Sequence, residues 1–325
     1  METGFFPEAL FLEVFDTLAA LQALVSHHRQ QFDIPVIGIT GSNGKTIVKE
    51  WLYQLLSGDY NILRSPRSYN SQIGVPLSVW PLNEQHTLGI FEAGISEQGE
   101  MPRLERMIRP DIGVLTNIGE AHSEGFIDPD HKFREKLILF RNSRVIIGRA
   151  VDFEGREETL EMLGGNFRLL TWGKNADAYF RILSTVTRSE DTDIRLAAGD
   201  NELFFSIPFT DEASVENAIT CCCVMLYLGH DPKMIMRNMK KLHPVNMRLE
   251  LKKGINQCTL INDSYSADTS SLEIALNFLD QQNPGTRKTV ILSDFLQSAL
   301  PDDELYEIVL DKIRKHQVNR LIGIG

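Results

Sequence analysis

No stretch of eighteen or more apolar residues runs through this 325-residue sequence, so no membrane-spanning helix is expected. Its first residues form neither a basic leader nor a long apolar segment, and a cytoplasmic protein is the expectation. Cysteine is scarce: there are four, and Cys221, Cys222 and Cys223 are consecutive. Neighbours on a helix point in different directions, so these three suit neither an ordinary disulfide nor a metal site. Buried free thiols of a reducing compartment are expected instead. Positive charge is in deficit, with 33 Lys and Arg against 44 Asp and Glu and a net charge of −11. Phosphate-backbone binding needs clustered cations, so a broad nucleic-acid surface is excluded. No internal repeat or low-complexity tract is visible.

What is present centres on Val36-Ile37-Gly38-Ile39-Thr40-Gly41-Ser42-Asn43-Gly44-Lys45-Thr46, followed by a helical pattern over 47–56. An apolar β-rich run, a glycine turn closed by Gly-Lys-Thr and an amphipathic helix give the context of a phosphate-binding loop. Backbone N–H groups of Gly41, Ser42, Asn43 and Gly44 would curl around phosphates, Lys45 would meet the β/γ oxygens, and Thr46 would ligate the accompanying Mg²⁺. The strict pattern asks for glycine where Ile39 stands, with Gly38 and Gly41 on either side. Taken by pattern alone, an ordinary glycine-rich strand-to-helix turn is the competing reading.

Short apolar runs then alternate with helical patterns. Gly89–Gly94, a helix over Met101–Ile108, the strand Ile112–Ile118, a helix over Lys132–Phe140 and the strand Arg144–Ile147 imply a largely parallel sheet with helices on both faces. Ligands sit at the C-terminal strand ends of such sheets. Glu92 falls there and reads either as a Mg²⁺ carboxylate or as a solvated loop acid. His122 falls in the loop after Ile118 and reads either as a ligand or as an exposed residue. Lys136, by itself, reads as a surface lysine. Segment 150–210 reads as an antiparallel section of short strands carrying no evident chemistry. Asp211–Leu228 reads as a helix containing Asn217, residues 242–246 as a hinge, and the remainder as a second β/α unit that stops inside the apolar run Leu321–Gly325.

Taken together these residues resemble the Mur ligases. Thr40–Thr46 is similar to that family's ATP loop, Tyr69-Asn70-Ser71-Gln72-Ile73-Gly74-Val75-Pro76-Leu77 to its Asn-Asn-Glu-Ile-Gly-x-Pro-Leu segment, and Asn117–His122 and Ile261–Ala267 follow in the family's order. The likeness is greatest to the branch that adds D-alanyl-D-alanine to UDP-N-acetylmuramoyl-tripeptide. It implies an α/β fold in three parts: 1–33, a remnant of an N-terminal domain and linker helix; 34–246, a P-loop central domain with a mostly parallel sheet; and 247–325, an incomplete Rossmann-like domain. It implies ATP and two Mg²⁺ ions as cofactors, with Lys45, His122 and Lys136 catalytic. Thr46, Glu92, His122 and Lys136 would serve the metals, with Lys136 carbamylated. Asn217 would lie near the adenine, Arg248 near the phosphates after closure, Asp263 on the ribose, and Asn70 and Gln72 on the substrate side.

The implied reaction is attack of a substrate carboxylate on the γ-phosphate, followed by displacement of phosphate from the acyl phosphate by an amine. Departures exist: Ser71 and Gln72 replace Asn and Glu, and Ile47 replaces a common Thr. Asp263-Ser264-Tyr265-Ser266-Ala267 favours this branch over folylpolyglutamate or cyanophycin synthetases, which carry a His-Asn-Pro version. A nucleotide-binding module without catalysis is the competing class. No Asn-Lys-x-Asp signature points to a switch GTPase. The resemblance further implies a fragment of a ligase fused to an alanine racemase, with an unfinished last sheet that exposes an edge and closes poorly.

Overall fold

Residues 12–119, 129–164, 166–199, 201–265, 267–282, 286–295 and 300–325 are described by the computed structural model. Helix α1 (Thr17–Arg29) starts at Asp16, whose carboxylate accepts from the Ala19 amide at 2.9 Å, and ends on His27, His28 and Arg29. Arg29 there places a positive charge that complements the helix dipole. His28 Nε2 also donates to Leu82 O, 2.9 Å away, and the ring packs against that of Trp80.

The strand and helix alternation that follows is β1 (Val36–Thr40), α2 (Lys45–Leu56), β2 (Ile62–Arg64), α3 (Gly74–Val79), β3 (Leu88–Glu92), α4 (Met101–Ile108) and β4 (Ile112–Leu115). Then come α5 (Pro129–Leu137) with a 3₁₀ turn over Ile138–Phe140, β5 (Val145–Arg149), α6 (Ala150–Phe153), α7 (Glu157–Met162) and β6 (Arg168–Gly173). Strands β7 (Phe180–Thr187), β8 (Thr192–Ala198) and β9 (Asn201–Ile207) precede α8 (Glu212–Tyr227) and α9 (Pro232–Met239).

All nine strands form one sheet, ordered β2-β3-β1-β4-β5-β6-β7-β8-β9. Neighbours from β2 to β7 run parallel, and only β7-β8-β9 is antiparallel. The antiparallel section is therefore an extension of the main sheet, not a separate layer. It includes β8, which the sequence reading leaves unassigned because Thr192-Asp193 and Arg195 interrupt its apolar residues.

Period-two alternation sorts the central strands between two cores. Ile37, Ile39, Leu88, Ile90, Ile112, Val114, Val145 and Ile147 face α2 and α8. Val36, Phe91, Leu115 and Ile146 face the opposite layer, which contains α4 and the aromatic rings of Phe133 and Phe140. The three consecutive cysteines are buried in α8, and burial pushes each thiol upward, as expected for inert packing residues.

Beyond α9 lie two small sheets. β10 (Glu250–Lys253) pairs antiparallel with β11 (Thr259–Asn262), and β12 (Thr289–Ser293) pairs parallel with β13 (Arg320–Ile324). Helices α10 (Thr269–Gln281) and α11 (Asp302–Lys315) cover one side through Leu272, Leu276, Val309 and Ile313. On β12 and β13, Ile291 is 58% exposed and Ile324 62% exposed. The expected exposed apolar face is present.

Candidate nucleotide site

Register fixes the site at the C-terminal edge of the sheet. Ile39 is level with Glu92 on one side and Val114 on the other, and Thr40 with Leu115. The loop leaving β1 is shaped by two glycines with positive φ. A Cβ on Gly41 (φ 145°) would lie 2.0 Å from Thr116 Oγ1, and one on Gly44 (φ 83°) would lie 2.4 Å from Asn217 Oδ1. Only glycine permits both turns. The loop is then tied to the segment after β4: the Ser42 amide donates to Asn117 O and the Asn43 amide to Asn117 Oδ1, each at 2.9 Å.

Lys45 bends back along the loop, donating to Gly41 O at 2.8 Å and Ser42 O at 2.9 Å. Burial pushes its pKa down to about 8, against the pull of Glu92, with Arg248 adding to the downward shift. A buried ammonium held by carbonyls in this way is poised to exchange them for phosphate oxygens.

Thr46 and Glu92 come together beside it. The Thr46 hydroxyl donates to Glu92 Oε2 at 3.1 Å and lies 3.2 Å from Ser68 Oγ. Glu92 is fully buried, which removes the solvated-acid reading. Its second oxygen, Oε1, stands 3.0 Å from Lys49 Nζ, itself fully buried, in an ion pair without hydrogen-bond alignment. Lys49 also donates to Ser65 O at 2.8 Å and to Arg67 O. One turn after Lys45, a second lysine thus clamps the carboxylate from beneath; the four-residue spacing is the signal that could have revealed it.

Lys136 is 1% exposed, which corrects its stand-alone reading as a surface lysine. Its Nζ donates to Gly41 O at 3.1 Å, the same carbonyl that Lys45 uses. Burial holds its pKa well below the usual lysine range, and the charges of Lys45 and Lys132 press in the same direction. Lys132, also buried, donates to Gly119 O at 2.7 Å. Helix α5 buries Phe133, Glu135 and Leu137 as well and leaves Asp130 and Arg134, four residues apart, as its exposed side.

A cavity of about 660 Å³ opens from the loop. Lys45, Thr46, Asn70, Asn217, Arg248 and Asp263 all line it, as do Ser42, Asn43 and Gly44. Arg248 Nη2 lies 3.4 Å from Thr46 Oγ1 and 3.2 Å from Ser68 Oγ, with its guanidinium 3.9 Å over the Tyr265 ring. Asp263 accepts from the Leu249 amide at 3.1 Å, and burial pushes its carboxyl up to about 6. From α10, Ser271 donates to Asn43 Oδ1 at 3.2 Å. The expectation of poor closure meets a structure in which Arg248 and Ser271 already touch the loop.

Gln72 is not part of this cavity. Its side-chain oxygen accepts from Gln22 at 3.1 Å and its amide donates to Glu100 O at 3.2 Å, which ties α1 to the start of α4. Asn70 lines the cavity and its carbonyl accepts from the Gly94 amide at 2.8 Å. His122 lies outside the described residues. Sequence reading also passed over Lys49, Ser68, Lys132, Arg149, Asp268 and Ser271.

The donor set at Thr46 and Glu92 suits Mg²⁺, a hard cation that takes a few protein oxygens and completes its shell with water and phosphate. Lys136, as an amine among cations, does not ligate a metal; carbamylation would turn it into an acid that could. Among the described residues no cluster of three His, Cys, Asp or Glu side chains is arranged to hold a metal.

Fold and site together define a P-loop nucleotide-binding protein of the α/β class. The model of the Mur ligase middle domain matches residues 39–225, more than half of the sequence, and the chain belongs to the Mur ligase family. The UDP-N-acetylmuramoyl-tripeptide–D-alanyl-D-alanine ligase of Bacillus subtilis is 29% identical over 317 residues, covering 96% of this chain and 67% of that protein. A crystal structure of MurF from Acinetobacter baumannii aligns with a TM-score of 0.84 at 25% identity, over 97% of this chain and 69% of its own. MurF from Thermotoga maritima, solved in complex with ADP, aligns at 0.81 with 21% identity, over 98% and 73%. The chain spans 57 to 70% of the length of the curated relatives it matches. No described helix is long and apolar enough to cross a membrane.

Proposed function

We propose that this chain binds Mg-ATP and forms the nucleotide-binding part of a ligase that joins D-alanyl-D-alanine to UDP-N-acetylmuramoyl-tripeptide in the cytoplasm. The observation that carries this reading is the convergence of Lys45, Thr46, Glu92, Arg248 and Asp263 on one cavity at the sheet edge. The named ligases among its relatives supply the substrates.

In this reading the domain divisions are 1–33, 34–246 and 247–325. Lys45 leaves Gly41 O and Ser42 O to hold the β/γ-phosphates, and Arg248 approaches from the far wall. Both cations lie where negative charge gathers as the γ-phosphoryl group is transferred to the substrate carboxylate. Thr46 and Glu92 would hold Mg²⁺, which supplies charge neutralisation at the phosphates. Lys136, carbamylated, and His122 would serve a second ion. Asp263 would accept from the ribose and Asn217 face the base, with Asn70 toward the peptide substrate. A fused alanine racemase would lie outside this chain.

A second reading, ATP binding without turnover, is favoured by the exposed Ile291 and Ile324, which leave an apolar sheet face uncovered. Phosphate release separates the two. With Mg-ATP, UDP-N-acetylmuramoyl-tripeptide and D-alanyl-D-alanine all present, the ligase reading expects release that stops when the dipeptide is withheld or Lys45 is changed to Ala. Release indifferent to the dipeptide would contradict it. Binding without release would select the second reading.

A further inference from the structure

At the C-terminal end of β5, Arg149 lines the same cavity, two strands along the sheet from the phosphate loop. At about 4.8 Å between strands, that sets its backbone about 10 Å sideways of the loop. The guanidinium is held on both edges. Nε donates to Asp152 Oδ2 at 2.7 Å and Nη2 to Asp152 Oδ1 at 2.9 Å. Nη1 donates to Glu216 Oε1 at 3.1 Å and Oε2 at 3.2 Å. All three nitrogens therefore take part, held by one carboxylate from α6 and one from α8.

Those four bonds occupy most of its five N–H donors, and the two carboxylates neutralise its charge. What it retains for a ligand is a flat, rigid, polarisable face, the surface on which arginine stacks against aromatic rings. Glu216, which fixes one edge, precedes Asn217, which packs against Gly44 of the loop. To the lining of the same cavity α10 contributes Ile274, Asn277, Phe278 and Gln281.

We propose that Arg149 is a base-binding residue: its guanidinium forms one wall of a slot in which the purine ring of the nucleotide lies flat, with α10 as the other wall. This rests on the ATP reading of the cavity. Contact of this kind recognises a planar ring and makes no hydrogen-bond readout, so it raises affinity for ATP over a bare polyphosphate without by itself choosing adenine over guanine. Discrimination between purines falls to other groups on the walls.

The test is calorimetric titration of the whole chain with Mg-ATP, Mg-GTP and magnesium tripolyphosphate, for wild type and Arg149→Lys. Stacking of a base on a side-chain face corresponds to roughly a 5- to 30-fold change in affinity. Arg149→Lys is expected to weaken Mg-ATP and Mg-GTP by that factor and to leave tripolyphosphate within about twofold. Because Arg149 also ties β5 to α8, Asp152→Asn provides a milder variant that keeps the guanidinium and loosens one edge. It is expected to show a smaller loss confined to the two nucleotides. Equal Mg-ATP affinity in wild type and both variants, or an equal loss for tripolyphosphate, overturns the assignment while leaving the nucleotide site standing. Failure of the folded wild type to bind either Mg-ATP or tripolyphosphate overturns both.

Discussion

Lys45 shows how burial sets the working range of a single group. Within the loop its pKa is lowered to about 8, below the 10.5 of a solvated lysine. Between those values the unfolded chain holds the proton and the folded chain does not, so the stability of the ligand-free protein rises with pH across that window. Phosphate oxygens favour the ammonium and raise the pKa again. Mg-ATP affinity is therefore expected to be flat from about pH 6.5 to 7.5 and to fall as pH climbs through about 8, with proton uptake on binding at pH 8.5. Titrations in two buffers of different ionisation enthalpy measure that uptake; none at pH 8.5 would remove Lys45 from the phosphates.

Lys49 makes the opposite case, a cation with a structural task. Both it and Glu92 are fully buried, and each relieves the other's charge. Lys49→Met strands the carboxylate in the core, with an expected loss of about 3–5 kcal/mol in urea denaturation. Adding Glu92→Gln should restore much of it, because the pair is coupled. A loss in the single variant no larger than that of a surface substitution would contradict the clamp.

At the level of elements, β1, the loop and α2 are bound together by the absence of two side chains. Gly44→Ala places a methyl at φ 83° against Asn217 Oδ1. The left-handed backbone alone costs about 1–2 kcal/mol, and the displaced Asn217 disturbs the contact between loop and α8. The expected result is a lower melting temperature together with at least tenfold weaker Mg-ATP binding; unchanged affinity would show that the loop does not depend on this packing.

This strand–loop–helix unit was legible in the sequence because its signals are local: an apolar run, glycines, Gly-Lys-Thr and a helical period within about twenty residues. The same holds for the strand–helix alternation that makes β1, β3, β4 and β5 parallel, though not for their order in the sheet. What could not be read depends on distance along the chain. Ser271 meets Asn43 across 228 positions, and nothing near either residue signals the other. Lys136 looked like a surface residue because polarity is an average predictor of exposure; the packing of Phe133, Leu137 and Lys132 around α5 decides otherwise. Gln72, placed with the substrate by resemblance, spends its side chain on Gln22 and Glu100. Strand β8 was hidden by its polar edge residues, although its Ile194 and Leu196 are fully buried.

Over the whole molecule, the nine-stranded sheet brings phosphate loop, Glu92 and Arg149 to one edge, while α10 and the β10-β11 unit close over that edge with Ser271, Arg248 and Asp263. The same part of the chain leaves Ile291 and Ile324 exposed on its other side. Nucleotide binding needs the first surface alone, and turnover also needs the peptide substrates, which the relatives' names supply. Nucleotide binding is therefore the property that this cavity most directly implies. Calorimetric titration of Mg-ATP into the chain at pH 7, with Lys45→Ala alongside, is expected to give one site per chain in the wild type and loss of at least a hundredfold in affinity in the variant. Equal binding by the two proteins, or no binding by a folded wild type, would contradict the placement of the nucleotide in this cavity.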